Sequence, residues 1–165
     1  MIEIRPECDS DALAIEQLLD QAFGCDRFNK KSYGFRRSVE RLWPLCLVAV
    51  DNEKLIGTIR FWPIRAGETP ALLLGPIAVH SDYRALGLGA ALIRLSLALA
   101  ESAGHQLVVL VGDQPYYQRF GFEPASGFGV EMPGEDPARV LARRMGRGEI
   151  RGGKIGRADA RSAAA

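Results

Sequence analysis

The sequence predicts a single α/β domain: a mixed, mostly antiparallel central sheet with one parallel pair at its centre and helices on its flanks. Three observations predict it. Leu45 to Val50 and Leu55 to Ile64 are apolar runs separated by the turn signal Asp51-Asn52-Glu53, the pattern of an antiparallel hairpin. Ala71 to Val79, a helical pattern from Gly87 to Ala103, and the apolar run Gln106 to Val111 follow in that order. A strand, a helix and a strand make a right-handed parallel crossover. The length of 165 residues favours one domain with a sizeable core and no need of disulfides.

The elements read as follows. Ile2-Glu3-Ile4-Arg5 alternates like a short strand. Asp9 or Ser10 is placed to cap a helix with the apolar stripe Ala12, Ile15, Leu18, Leu19, Ala22 and Phe23, and Gly24 ends it. Phe28 to Leu42 is polar and aromatic and reads as a second, less regular helix. The hairpin comes next, then a turn over Gly67 to Pro70. In the strand Ala71 to Val79, Pro76 has no N–H to give a ladder, so the strand must bend or open there. The long helix carries Leu88, Ala91, Leu92, Leu95, Ala98 and Leu99 on one stripe, and Gly104 closes it. Pro115 to Phe120 is a short helix, and Phe128 to Met132 with Val140 to Met145 reads as a late hairpin. The domain is expected to span residues 1–147. Residues 148–165, rich in Gly, Arg and Ala without apolar period, read as a basic, mobile tail.

Composition excludes several classes. No apolar run approaches the roughly 18–20 residues that span a bilayer. The start Met1-Ile2-Glu3-Ile4-Arg5 lacks the regions of a signal peptide, so a cytoplasmic location is expected. Three cysteines, Cys8, Cys25 and Cys46, have neither metal-like spacing nor a nearby histidine; no metal site and no catalytic thiol is expected. The net charge of +1 is uneven. From Arg139 on, eight Lys and Arg face two acids, which leaves the first 138 residues net acidic. A nucleic-acid role has only that tail to rest on.

The most informative segment is Tyr83-Arg84-Ala85-Leu86-Gly87-Leu88-Gly89-Ala90-Ala91-Leu92, which follows a strand and opens the long helix. The first turn of a helix leaves N–H groups unpaired and carries partial positive charge. Gly87 and Gly89 have no side chain to keep a phosphate from those groups. Arg84 adds charge, and Ala90 and Ala91 keep the helix start open. This is a pyrophosphate site. It is not a Walker loop, which needs Lys and then Ser or Thr. It is not a dinucleotide fingerprint, which needs three glycines after the first strand of its unit.

Arg-x-x-Gly-x-Gly resembles the acyl-CoA signature of the GNAT superfamily of acetyl-CoA-dependent N-acetyltransferases. Leu74-Gly75-Pro76-Ile77-Ala78-Val79 resembles that family's fourth strand. Tyr116-Tyr117-Gln118-Arg119-Phe120-Gly121-Phe122 resembles its later motif, a Tyr four residues before Gly-Phe. The resemblance covers roughly residues 2–132, is strongest over 72–122, and points to an uncharacterised bacterial subgroup.

The resemblance implies a fold in which the fourth and fifth strands are parallel but splay apart at the centre of the sheet. It implies acetyl-CoA as co-substrate. The pantetheine arm would pair with Ile77, Ala78 and Val79, and the pyrophosphate would sit on Arg84, Ala85, Leu86, Gly87, Leu88, Gly89 and Ala90. Tyr117 matches the tyrosine that protonates or hydrogen-bonds the departing sulfur. Tyr116 is expected among the cofactor-binding residues. The residues leave two alternatives open: Tyr117 as a core aromatic with its hydroxyl satisfied by backbone, or its neighbour Tyr116 facing the site. The Glu that some relatives carry on the fourth strand is replaced by apolar Leu73, which puts a direct carboxylate base in doubt and points to a water chain to a backbone carbonyl. His80 either serves as base or caps the strand end. Asp113 either binds an amine or caps the short helix. Phe28, Tyr33, Arg36, Arg37 and Phe128 are candidates for the acceptor side, with Arg36 and Arg37 hinting at an acidic group on the acceptor. The implied reaction is direct attack of a primary amine, small-molecule or peptide, on the thioester. A longer acyl group and a non-catalytic, regulatory CoA-binding module are the alternatives. A homodimer is the family-level expectation.

Overall fold

The computed structural model describes residues 1–158. The strands are β1 (Ile2–Pro6), β2 (Leu47–Asp51), β3 (Lys54–Ala66), β4 (Thr69–Val79), β5 (Leu107–Val111), β6 (Glu123–Pro124), β7 (Val130–Glu131), β8 (Val140–Arg144) and β9 (Gly153–Arg157). The helices are α1 (Ala12–Phe23), α2 (Lys31–Gly34), α3 (Leu88–Ser102) and α4 (Gln114–Tyr117). The sheet order is β1-β2-β3-β4-β5-β8-β6, with β9 along β3 and β7 along β9. Along that order every neighbouring pair is antiparallel except β4 and β5, which are parallel.

Alternation along β3 divides the core. Ile59 and Phe61 face α3 and pack with Leu92, Ile93 and Leu97. The opposite face carries α1, whose Ile15, Leu18 and Leu19 pack with Val48 and Ala78. The β2–β3 turn holds Asn52 and Glu53 at φ of 45° and 72°. Two positive φ values in a two-residue loop match the twist of the flanking strands.

Local chemistry explains where the expected elements shift. Neither Asp9 nor Ser10 caps α1. A 3-10 turn over Asp9–Asp11 precedes it, and the Asp11 carboxylate accepts from the Cys8 N–H at 2.8 Å. Arg5 pairs with the same carboxylate at 2.8 Å and holds its pKa down at about 2. The second helix shrinks to a 3-10 turn over Cys25–Asn29 and the single turn of α2, because Phe28 to Leu42 offers no apolar stripe to bury. The late strands are not a hairpin: β8 pairs with β5 and β6, and β7 runs parallel to β9.

The chain after Gly148 departs most from expectation. Ile64, Arg65 and Ala66 pair with Arg157, Gly156 and Ile155, along the edge of β3 that β2 has left. Ile155 is 4% exposed and packs with Ile64, Ala66 and Val130. Three glycines make the crossing. A Cβ on Gly67 would stand 2.1 Å from the Gly152 carbonyl oxygen, and one on Gly152 would stand 2.6 Å from that of Phe128. Gly153 sits at φ 129°, with its Cβ position 2.7 Å from the Gly67 Cα. Residues 148–158 are therefore part of the fold, which corrects the expected domain end at 147; the rest of the expected tail, 159–165, lies outside the described residues.

Candidate active site

The site forms where the parallel pair comes apart. β4 and β5 pair only at Leu72 with Val108 and Leu73 with Val109; beyond that the two strands diverge. β4 bends at the same point. Its register against β3 jumps from Leu74 opposite Phe61 to Ile77 opposite Ile59, so Gly75 and Pro76 together stand opposite Arg60, a bulge of one residue, and the bond between them is cis. Ile77, Ala78 and Val79 are held by β3 on one edge, and no described strand pairs with the other. An extended chain finds there a row of unpaired N–H and C=O groups.

The phosphate-loop residues lie at the end of that edge. Residues 81–86 form a 3-10 turn, and Gly87 at φ 73° opens α3. Ala91 bonds back to the Gly87 carbonyl at 3.0 Å, so the N–H groups of Leu88, Gly89 and Ala90 have no acceptor in their own helix. Arg84, Ala85, Leu86 and Gly87 are exposed. The Leu88 side chain instead packs on Ala49 and Ile56, leaving only its backbone for a ligand. Arg84 Nε reaches the Val79 carbonyl at 3.4 Å.

A cavity of about 690 Å³ fills the splay, and Leu73, Ile77, Gly112, Tyr116 and Tyr117 are among its walls. Tyr117 packs at the edge of the core, with its ring over Gly112; a Cβ there would stand 2.4 Å from the ring. Its hydroxyl has no hydrogen-bond partner among the described residues, so the backbone does not satisfy it. Burial, with Tyr116 and Asp113 beside it, pushes its pKa above the usual phenol value. The Tyr116 ring meets the Tyr117 ring edge-on at 4.9 Å, and its hydroxyl lies 3.7 Å from the Cβ position of Gly89. The two tyrosines thus divide between the loop and the splay.

Other expected residues fall differently. His80 is not on the cavity wall; its Nδ1 accepts from the Asp82 N–H at 3.2 Å. Asp113 makes no side-chain cap on α4 and instead stands 3.9 Å from Arg139 on the wall. Leu73 is apolar and buried there, so β4 supplies no carboxylate. Tyr33 and Arg36 line the cavity, whereas Phe28, Arg37 and Phe128 do not. Sequence reasoning missed Lys30, Lys31, Glu135 and Arg139, because no spacing connects these charged positions to the splay. No group of three or more His, Cys, Asp or Glu among the described residues is placed to hold a metal. No described helix is long and apolar enough to cross a membrane.

Residues 43–124 match the acetyltransferase (GNAT) domain family. The uncharacterized N-acetyltransferase YhbS of Escherichia coli K12 is 34% identical over 126 residues, 74% of each chain. The chain belongs to the GNAT family. It is an acetyl-CoA-dependent acyltransferase, and the mixed sheet with its parallel β4–β5 pair is that family's expected fold. Among solved GNAT structures, E. coli YhbS in complex with CoA superposes with a TM-score of 0.80 at 28% identity, covering 95% of this chain and 89% of that one. A GNAT acetyltransferase from Brucella melitensis in complex with acetyl-CoA gives 0.70 at 26%, covering 96% of each.

Proposed function

We propose that the enzyme transfers acetyl from acetyl-CoA to a primary amine by direct attack, with Tyr117 as the acid. The observation that carries this is the free Tyr117 hydroxyl on the wall of the cavity in the splay. The pyrophosphate rests on Arg84 to Ala90, the pantetheine pairs with the open edge of Ile77 to Val79, and Tyr116 borders the cofactor beside Gly89. The acetyl group then reaches the cavity. The amine nitrogen attacks the thioester carbon, the C–S bond breaks with its electron pair on sulfur, and Tyr117 gives sulfur a proton. The proton shed by nitrogen leaves through water towards a backbone carbonyl, since no carboxylate stands on β4. Tyr117 is then reprotonated from solvent. The test is thiol release from acetyl-CoA with a panel of primary amines, with the acetylated product detected by mass. Tight CoA binding with no thiol release on any amine would instead favour a regulatory CoA-binding role.

The loop is tested separately. Acetyl-CoA at about 100 times its Kd should stabilise the native state by about 2.7 kcal/mol. For a chain of this size that is about 5–10 °C in melting temperature. Gly87→Val should abolish the shift. Gly87 is at φ 73°, where a β-branched residue is strained, and a Cβ there meets no protein atom within 4 Å, so it projects into the space the phosphate needs. Equal shifts in Gly87→Val and the parent would overturn the loop assignment.

A further inference from the structure

The face of the sheet opposite α3 carries four arginines whose partners differ. Arg27 is paired with Glu16 and Asp20. Arg41 and Arg60 share Glu7, each at 2.8 Å. Arg36 has no acidic partner among the described residues. Its guanidinium lies over the Tyr33 ring at 4.1 Å and 5.9 Å from the Trp62 ring centroid. Its Nε and Nη1 are buried with no hydrogen-bond partner, and so is Trp62 Nε1.

Arg36 is also on the wall of the cavity, beside the bend of β4: its Nη2 stands 3.6 Å from the Cβ position of Gly75. Burial lowers its pKa to about 10, which leaves it charged at neutral pH. A buried cation without a counter-charge is costly, and so is a buried donor without an acceptor. Trp62 is not on the cavity wall, so the donors that a ligand in the cavity can answer are those of the Arg36 guanidinium. The group that answers them brings acceptors only and a negative charge. A carboxylate does both, and its planar oxygens suit a guanidinium held flat by stacking. Hydroxyls and amides bring donors of their own.

We propose that the acceptor is a small amino acid: a primary amine that also carries a carboxylate, which binds Arg36. This rests on the transferase reading and names the substrate class of its site. The neighbouring cavity walls agree with a ligand of both signs. Lys30 and Lys31 stand on the Arg36 side in sequence, and Asp113, at the end of β5 and 3.9 Å from Arg139, puts a carboxylate on the wall near Tyr117.

The test uses the full chain saturated with CoA, so that the phosphate loop is filled. Melting temperature is followed against α-, β- and γ-amino acids, their carboxamides, and inorganic phosphate. Acetylation of the same panel by acetyl-CoA is followed by mass. The acid of at least one pair should raise the melting temperature, and its amide should not. Where the pair is acetylated, the acid should be favoured roughly 10²-fold in kcat/KM, the scale of losing a charge-assisted hydrogen bond. Arg36→Gln should remove that preference through the acceptor KM and leave the acetyl-CoA KM in place; Arg36→Lys should restore part of it. Equal responses to acid and amide, no response to any acid, or an equal response to phosphate would overturn the proposal. These wild-type comparisons stand even where Arg36→Gln fails to fold. A carboxylate-dependent shift without turnover on any amine would count against the transferase reading while supporting the Arg36 site.

Discussion

Tyr117→Phe should bind CoA like the parent and turn over about 10²-fold more slowly or worse, the usual scale for losing a positioned acid. The ring remains, so its packing on Phe120 and Phe122 survives. Only the hydroxyl goes, and no described protein group hydrogen-bonds to it. The loss should fall on kcat and spare the Michaelis constant for acetyl-CoA, because the proton moves only as the C–S bond breaks. The raised pKa sets the pH dependence. A phenol raised above about 10 stays protonated as pH rises through the neutral and mildly alkaline range, so its deprotonation should not limit kcat below about pH 10. Tyr116→Phe is the control. It should disturb the approach to Gly89 and change kcat far less. Unchanged turnover in Tyr117→Phe, with chemistry rate-limiting, would end the assignment; a large effect at Tyr116 alone would move the role one residue upstream.

The largest expected effect on stability comes from the last described strand. Ending the chain before Gly148 uncovers the Ile155 side chain and leaves the edge of β3 from Ile64 to Ala66 unpaired. Burying one large aliphatic contributes about 1.5–3 kcal/mol. With the lost ladder the total should be about 3 kcal/mol or more, or about 6–12 °C in melting temperature for a domain of this size. Gly152→Val should act in the same direction without shortening the chain. Its Cβ would stand 2.6 Å from the Phe128 carbonyl oxygen, at a φ of 62° that β-branched residues avoid. CoA should still bind both variants, since the phosphate loop lies elsewhere in the fold. A truncated chain that melts with the parent would show that β9 adds nothing to the fold.

What the sequence made legible follows from the range of the forces involved. Leu88 to Leu99 shows helical period within a few turns, and the Asp51-Asn52-Glu53 turn is local chemistry. The bend at Pro76 is set by one missing donor. The opening of α3 is legible for the same reason: Gly87 takes a positive φ that its own missing side chain permits. β9 was not legible, because Gly153 to Arg157 holds one buried aliphatic, begins on a glycine and meets two more, Gly67 and Gly152, in the crossing. Its place is decided by contacts with Gly67 and Phe128, far away in sequence. The same holds on the acceptor side. Arg36 and Arg37 are equivalent as a sequence pair, and only tertiary packing turns the first over Tyr33 and into the cavity while the carbonyl of the second accepts from Arg157. Trp62 stands in a strand pattern with nothing to mark its indole nitrogen as unpartnered.

The pairing of β9 with β3 also bears on the order in which the protein forms during synthesis. Ile64 and Arg157 are about ninety positions apart, so at roughly 5–20 residues per second several seconds of translation separate them. Throughout that interval β3 has no β9 to cover its edge, and the face of the sheet opposite α3 has no Ile155. An uncovered edge recruits foreign strands. Nascent chains should therefore be most vulnerable to aggregation after β3 has emerged and before β9 has, and slowing the ribosome between these two points should lower the soluble yield while the finished protein keeps its stability.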